Sequence, residues 1–316
     1  MKKIFALMLA LTLCLSFMAC GDKEDAKNPT ESKGNNTSTE LENSGTPKPL
    51  PGESSEVSEE ADSKFNGDVS IEEAVIVDQD GIKVTAQSVA VEEGIFGDEF
   101  LLKVLIENNS DKEYAAGTIN TCINGYVIDS YGNETVAAGK KVNANISFEV
   151  EDLLACGIET VTDIELRFNV YDPSSWDDLF TTDTIKIQTS AAGSYTQSYD
   201  DSGDVLYEGN NVKIISKGLT TDSFGAPAVL LYIENSSDKA LGVQTKDESV
   251  NDYMVDCYLS CELPAGTRTV TKLAFSDDDL DNNKITAVEK LELCFHAYDV
   301  ETWEGVFDTD AIKISF

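Results

Sequence analysis

One stretch of this chain is written twice. Residues 102–131 begin LKVLIENNSDK and end NGYVIDSY, and residues 229–258 begin VLLYIENSSDK and end NDYMVDCY. The second copy follows the first by 127 positions, so that Glu107 matches Glu234 and Tyr126 matches Tyr253. Both copies alternate. Leu102, Val104 and Ile106 share one face, as do Val229, Leu231 and Ile233. Period-two patterning rich in Val, Leu and Ile predicts a strand with one buried face. The polar runs that follow, Asn-Asn-Ser-Asp and Asn-Ser-Ser-Asp, predict turns, because short polar side chains bond their own backbone. The Asn-x-Ser within each run is read as turn chemistry rather than as a glycosylation signal.

The copying extends beyond that core. Val75, Asp80-Gly81 and Val84 read as strand, turn and strand, and Val205, Asn210-Asn211 and Ile214 repeat them. Residues 91–99 read as a loop in which the second copy is three residues shorter. Ile146 and Phe148 alternate, matched by Leu273 and Phe275. Asp152-Leu153 and Asp279-Leu280 each predict one helical turn. Ile164, Leu166, Phe168 and Val170 form a further strand, repeated by Leu291, Leu293, Phe295 and Ala297. Each unit closes with Tyr-Asp, a loop bearing Trp176 or Trp303, and a last strand with Ile187 or Ile314.

Short strands at turn-like spacing, with no long helical pattern, predict an all-β fold. It consists of two tandem immunoglobulin-like β-sandwich domains in the broad sense. The cysteine–tryptophan–cysteine spacing of antibody domains is absent. The domains are assigned to residues 69–189 and 204–316, with 190–203 as a short tether that leaves them as separate beads. The 316 residues suit about two domains.

The N-terminus gives an address. Lys2 and Lys3 precede an apolar run over 4–19, shorter than the ~20 residues that a spanning helix needs. Ala19 precedes Cys20, and a polar tail starts at once. This arrangement resembles a bacterial lipoprotein signal peptide over 1–19, with Cys20 as the lipidated first residue. Phe17 and Met18 depart from the commonest residues of that box. Residues 20–68 are dominated by Ser, Thr, Glu, Asn, Lys and Pro, which cannot bury enough apolar surface to offset ordering entropy. They read as a disordered linker with a reach of roughly 40 Å.

Repeats with an I-E-N-x-S-D-K turn, an N-G-Y or N-D-Y strand and a closing Y-D…W…F segment resemble uncharacterised immunoglobulin-like domains in lipoproteins of Gram-positive bacteria. The resemblance covers residues 74–316 in two passes and implies fold and envelope location. It brings no catalytic or ligand residues.

The charge narrows the partners. Lys plus Arg number 23 and Asp plus Glu 58, for a net charge of −35. Nucleic acid is excluded, because that binding neutralises phosphates with Lys and Arg. The expected membrane contact is the N-terminal lipid alone, on the extracellular face of the cell membrane. A single histidine, His296, stands where the first copy has Asn169, and no nucleophile is spaced to it. Histidine is the commonest side-chain base, so the chain is read as no enzyme. No cofactor is expected.

The remaining candidates are few. Cys257 and Cys261 flank three residues at an expected hairpin end and form the candidate disulfide; Cys122 with Cys156 is a weaker pairing. Cys257, Cys261, Cys294 and His296 have zinc-ligand types, but they would have to converge from two strands, so no metal is assigned. Residues 276–283 are acid-rich, yet Asn282 and Val288 stand where an EF-hand loop needs Gly and Glu; a solvated loop is preferred. Trp176 and Trp303 are the candidate surface-binding residues, as stacking platforms for sugar or peptide. The preferred reading folds them back as plugs, because Phe180 and Phe307 would give a second apolar contact. The chain is therefore expected to be a monomeric, non-enzymatic binding module with an envelope protein or glycan partner. The alternatives are a passive accessory lipoprotein and a carboxylate-based enzyme acting on wall glycans.

Overall fold

The computed structural model describes residues 65–95, 97–222 and 225–316, which are mostly strand and turn. The expected signal peptide, Cys20 and nearly all of the expected linker over 20–68 lie outside the described residues. The first half runs β1 (Ala74–Gln79), β2 (Ile82–Glu93), β3 (Asp98–Asn108), β4 (Tyr114–Ile123), β5 (Tyr126–Val127), β6 (Asn133–Val136) and β7 (Lys141–Glu149). Then come α1 (Val150–Ala155), β8 (Asp163–Tyr171), β9 (Asp178–Thr181) and β10 (Ile185–Gln188). The second half runs β11 (Asp204–Gly209), β12 (Val212–Thr221), β13 (Pro227–Asn235), β14 (Leu241–Val250), β15 (Tyr253–Met254), β16 (Cys257–Tyr258), β17 (Ser260–Leu263) and β18 (Arg268–Phe275). It ends with α2 (Asp277–Asn282), β19 (Lys290–Asp299), β20 (Gly305–Asp308) and β21 (Ile312–Ser315).

Each half stacks two open sheets, as in a β-sandwich. In the first, β1-β2-β3-β7 faces β10-β8-β4, with β5 and β6 on the far edge of β4. In the second, β11-β12-β13-β18 faces a sheet built on β14 and β19. The alternating faces form the cores. Phe100, Leu102, Val104 and Phe148 meet Ile164, Leu166, Phe168 and Val170. Val229, Leu231, Ile233 and Leu273 meet Val243, Leu291, Leu293 and Phe295. Each such side chain contributes about 1.5–3 kcal/mol on full burial.

Turn chemistry fixes the register. Asp80 and Gly81 have φ of 50° and 82°, the left-handed pair that a tight hairpin needs. The Asn-x-Ser runs act as internal anchors. Asn108 is fully buried; its Nδ2 donates to Lys112 O at 2.7 Å and Val136 O at 2.8 Å, and its Oδ1 accepts from Ser110 N at 3.0 Å. Asn235 makes the corresponding bonds to Lys239 O, Leu263 O and Ser237 N. Buried amides satisfied in this way tie the turn to the next strand.

Four expectations are corrected. Residues 91–99 are not simply a loop: Glu93 still pairs with Asp98, so β2 and β3 extend as one long hairpin. Residues 276–283 are not a solvated loop. They form α2, whose N-cap Ser276 accepts from Asp279 N at 3.3 Å, and the acidic first turn suits the positive end of a helix. The last residues of the 20–68 linker are ordered, with Phe65 packed edge-on against Phe100 and Asn66 N donating to Glu159 O at 2.7 Å.

The fourth correction concerns the junction. The two halves are not beads on a slack tether. The sheet containing β4 continues into the sheet containing β18 through one parallel bridge, Tyr126 to Arg268. Ile215 and Tyr232, on the outer face of the second half, are buried in the first half's core cluster. Residues 190–203 are fastened to both sides. Tyr199 packs on Tyr126 with ring centroids 5.6 Å apart and donates its hydroxyl to Asn124 O at 3.2 Å. Arg268 lies over the Tyr199 ring at 3.7 Å, and Lys217 bonds Asp200 at 2.8 Å. A composition rich in Ser, Thr, Gly and Asp does not prevent docking when aromatic residues at intervals supply contact area.

Candidate functional site

The two tryptophans do not plug the sandwiches. Trp176 is 64% exposed and Trp303 72% exposed. Each has a left-handed backbone, φ 64° and 60°, an uncommon state for a bulky residue. The loop geometry explains it. Asp172 O accepts from Trp176 N at 2.8 Å while Asp172 N donates to Asp177 O at 2.9 Å, which closes a tight turn. Asp299 does the same with Trp303 and Glu304. One face of each indole lies flat on a tyrosine, with centroids 5.4 Å apart for Tyr171–Trp176 and 5.2 Å for Tyr298–Trp303. Phe180 is buried. These stacks are platforms by geometry.

The candidate disulfide is not formed. Cys257 and Cys261 are both free thiols. Their strands belong to opposite sheets: β16 pairs with β18, and β17 pairs with β14. The chain crosses between sheets at Leu259, so the expected hairpin end does not exist. Cys122 and Cys156 are likewise free and buried. Burial, the largest cause, pushes Cys122, Cys156, Cys257 and Cys261 each up to about 12. Thiols held protonated in this way are poor nucleophiles. His296 and Cys294 lie on the outer side of β19, and His296 Nδ1 sits 2.7 Å from Asp308 Oδ1. Among the described residues no three His, Cys, Asp or Glu side chains gather as a metal centre.

The site that sequence reasoning missed lies where the halves meet. A cleft of about 600 Å³ opens between β4–β5 and β18, within the ~300–1,000 Å³ range of ligand sites. Its first wall begins at the Asn124-Gly125 turn, which has φ of 51° and 82° and reverses β4 into β5. The next residues then run loosely beside β4. Ile128 N donates to Thr121 O at 3.1 Å, the Thr121 hydroxyl donates to Ile128 O, and the Thr118 and Ser130 hydroxyls are 2.9 Å apart. The opposite wall is β18, held at its start by Thr269 Oγ1 donating to Val127 O at 3.2 Å. Ala155 at the end of α1, the following Cys156 and Leu230 from β13 complete it.

The cleft is polar and negative. Asp129, Asp152 and Glu262 face one cation, Lys272. Burial, followed by the charges of Glu149, Asp129 and Glu151, raises the Asp152 carboxyl above its usual value, with Lys272 opposing. The signal for this junction was present in the duplication. The outer-face positions Ile215 and Val270 are apolar in the second copy, where the first has polar Thr85 and Asn143, and Tyr232 is aromatic where the first has Leu105.

No family model matches the chain, and no curated protein matches it. Among solved structures, a crystal structure of YadV chaperone is similar at 10% identity, covering 68% of this chain and 92% of that one, with a TM-score of 0.23. A protein of unknown function from Porphyromonas gingivalis W83 is similar at 11% identity, covering 74% and 97%, with a TM-score of 0.21. Likeness at that level carries no argument about function.

Proposed function

We propose that this chain is a non-catalytic binding protein of a bacterial envelope. In this reading it is lipid-anchored through Cys20 on the extracellular face, and each half is an immunoglobulin-like sandwich. The supporting observation is the cleft between β4–β5 and β18, which neither half forms alone. A site divided between two fastened units is rigid, and rigidity lowers the entropy lost on binding. The protonated Cys156 and Cys261 thiols suit this reading, since a binding surface requires no nucleophile. The duplicated sequence supports the tandem architecture, and the N-terminal run up to Cys20 supports the anchor.

Photo-crosslinking on intact cells tests the binding reading. A photoreactive side chain at Ser260, in the cleft, should give a discrete adduct, whereas one at Glu208, on an outer strand, should not. Indistinguishable adduct patterns would sink it. The anchor has its own test: Cys20→Ala should release the protein into the medium, and retention at the cell surface would overturn lipidation at that residue.

A further inference from the structure

Within the cleft one sheet edge is left open. Arg268 donates its backbone N–H to Gly125 O at 3.2 Å, so its backbone groups point away from β13. Alternation makes Val270, Lys272 and Ala274 point the same way. Ala274 is paired with Tyr258 of β16. The Val270 N–H lies at the Cys156 thiol. A continued β16 would bring Ser260 opposite Lys272, but the chain leaves the sheet at Leu259 and pairs with β14 instead. Lys272 therefore has no strand partner on its outer side among the described residues. β5 does not take that place, because its pairing with β18 ends after Arg268.

We propose that this slot binds an extended, basic peptide segment of another protein, which pairs with the β18 edge at Lys272, the one outward-facing position there whose N–H and C=O are both without a strand or side-chain partner among the described residues. This rests on the binding reading above and names its partner class. Main-chain bonds to an open edge supply affinity without side-chain matching, and flanking groups select the side chains. Here the flanking groups are Asp129, Asp152 and Glu262, with Lys272 as the lone opposing charge. Lys or Arg side chains on the incoming strand would relieve the crowding of these carboxylates. The net charge of −35 would steer such a segment inward. A bound strand also removes an aggregation hazard, since an unpaired edge is a template for unwanted pairing.

The probe is a capped hexapeptide of alternating Lys and Val, added to the full chain at moderate salt. Hydrogen exchange should slow at the Lys272 N–H. Methylating alternate backbone nitrogens of the probe should weaken binding about tenfold or more, the equivalent of ~1.4 kcal/mol. The exposed pair Asp129→Asn with Glu262→Gln should weaken it similarly without changing the melting temperature. A Glu-Val hexapeptide should not bind. Spermidine serves as the charge-only control. Equal binding of the methylated peptide, or of spermidine, would show that charge alone operates and would overturn strand addition. Absence of protection at Lys272 at saturating peptide would do so as well. In either case a discrete adduct at Ser260 on cells would leave the general binding reading standing, so the two failures are distinguishable.

Discussion

The junction makes a sharp prediction about Tyr232. It belongs to β13 of the second half, yet it is 1% exposed and buried with the first half's core. Its hydroxyl donates to Glu234 Oε2 at 2.9 Å. Truncating a buried aromatic to alanine costs about 3–5 kcal/mol, and the lost hydrogen bond is already part of such totals. Tyr232→Ala should therefore cost about 3–4 kcal/mol. The duplication supplies the control. Leu105 occupies the matching position in the first half and is only half-buried, so Leu105→Ala should cost about 1 kcal/mol. Urea unfolding of both variants measures the difference, with a midpoint shift of ~1 M or more expected for Tyr232→Ala. If the two variants lose the same stability within ~0.5 kcal/mol, the halves do not share a core and the reasoning about the junction fails.

Other outcomes follow from the same contacts. Tyr126, packed in the junction, has its phenol pushed up to about 12, mainly by burial. The unfolded phenol ionises near 10 and the folded one near 12, so the folded state holds the proton longer. Its stability should fall as pH rises between those values; a Tyr126→Phe variant that shows the same alkaline decline would assign the effect elsewhere. Cys122, Cys156, Cys257 and Cys261, all held protonated, should resist alkylation at pH 8 in the native protein and react fully in urea; mass spectrometry showing fast native labelling, or no free thiols after denaturation, would contradict their state as protonated free thiols. Trp303→Gly removes a stacked but exposed ring and relieves a left-handed bulky residue, so the melting curve should record a change within ~1 kcal/mol. A loss above ~3 kcal/mol would show that the indole is structural after all.

Much of the fold was legible residue by residue. The alternation at Leu102, Val104 and Ile106 identified a buried face because a strand's two faces separate with period two. The Asn-x-Ser runs identified turns, and the anchoring bonds of Asn108 and Asn235 supply the reason. Trp176 and Trp303 were found as residues but misjudged in orientation. A nearby phenylalanine does not show which way a turn directs the indole. That depends on the left-handed backbone closed by Asp172 and Asp299. The cysteine spacing misled for a similar reason. Three intervening residues fit a hairpin, but Leu259 carries the chain from one sheet to the other, and that crossing depends on which strands lie opposite.

Sequence by itself therefore settled the building material: strands, their inward faces and the turns between them, all governed by neighbours close along the chain. What only the tertiary structure decided was the use of the outward faces. A mixed outer face looks the same in sequence whether it meets water or another sheet. Ile215, Tyr232 and Val270 gained their meaning when β5 met β18, which closed one end of a slot and left the edge at Lys272 open. Contacts between residues over a hundred positions apart follow from packing geometry, and no local period encodes them.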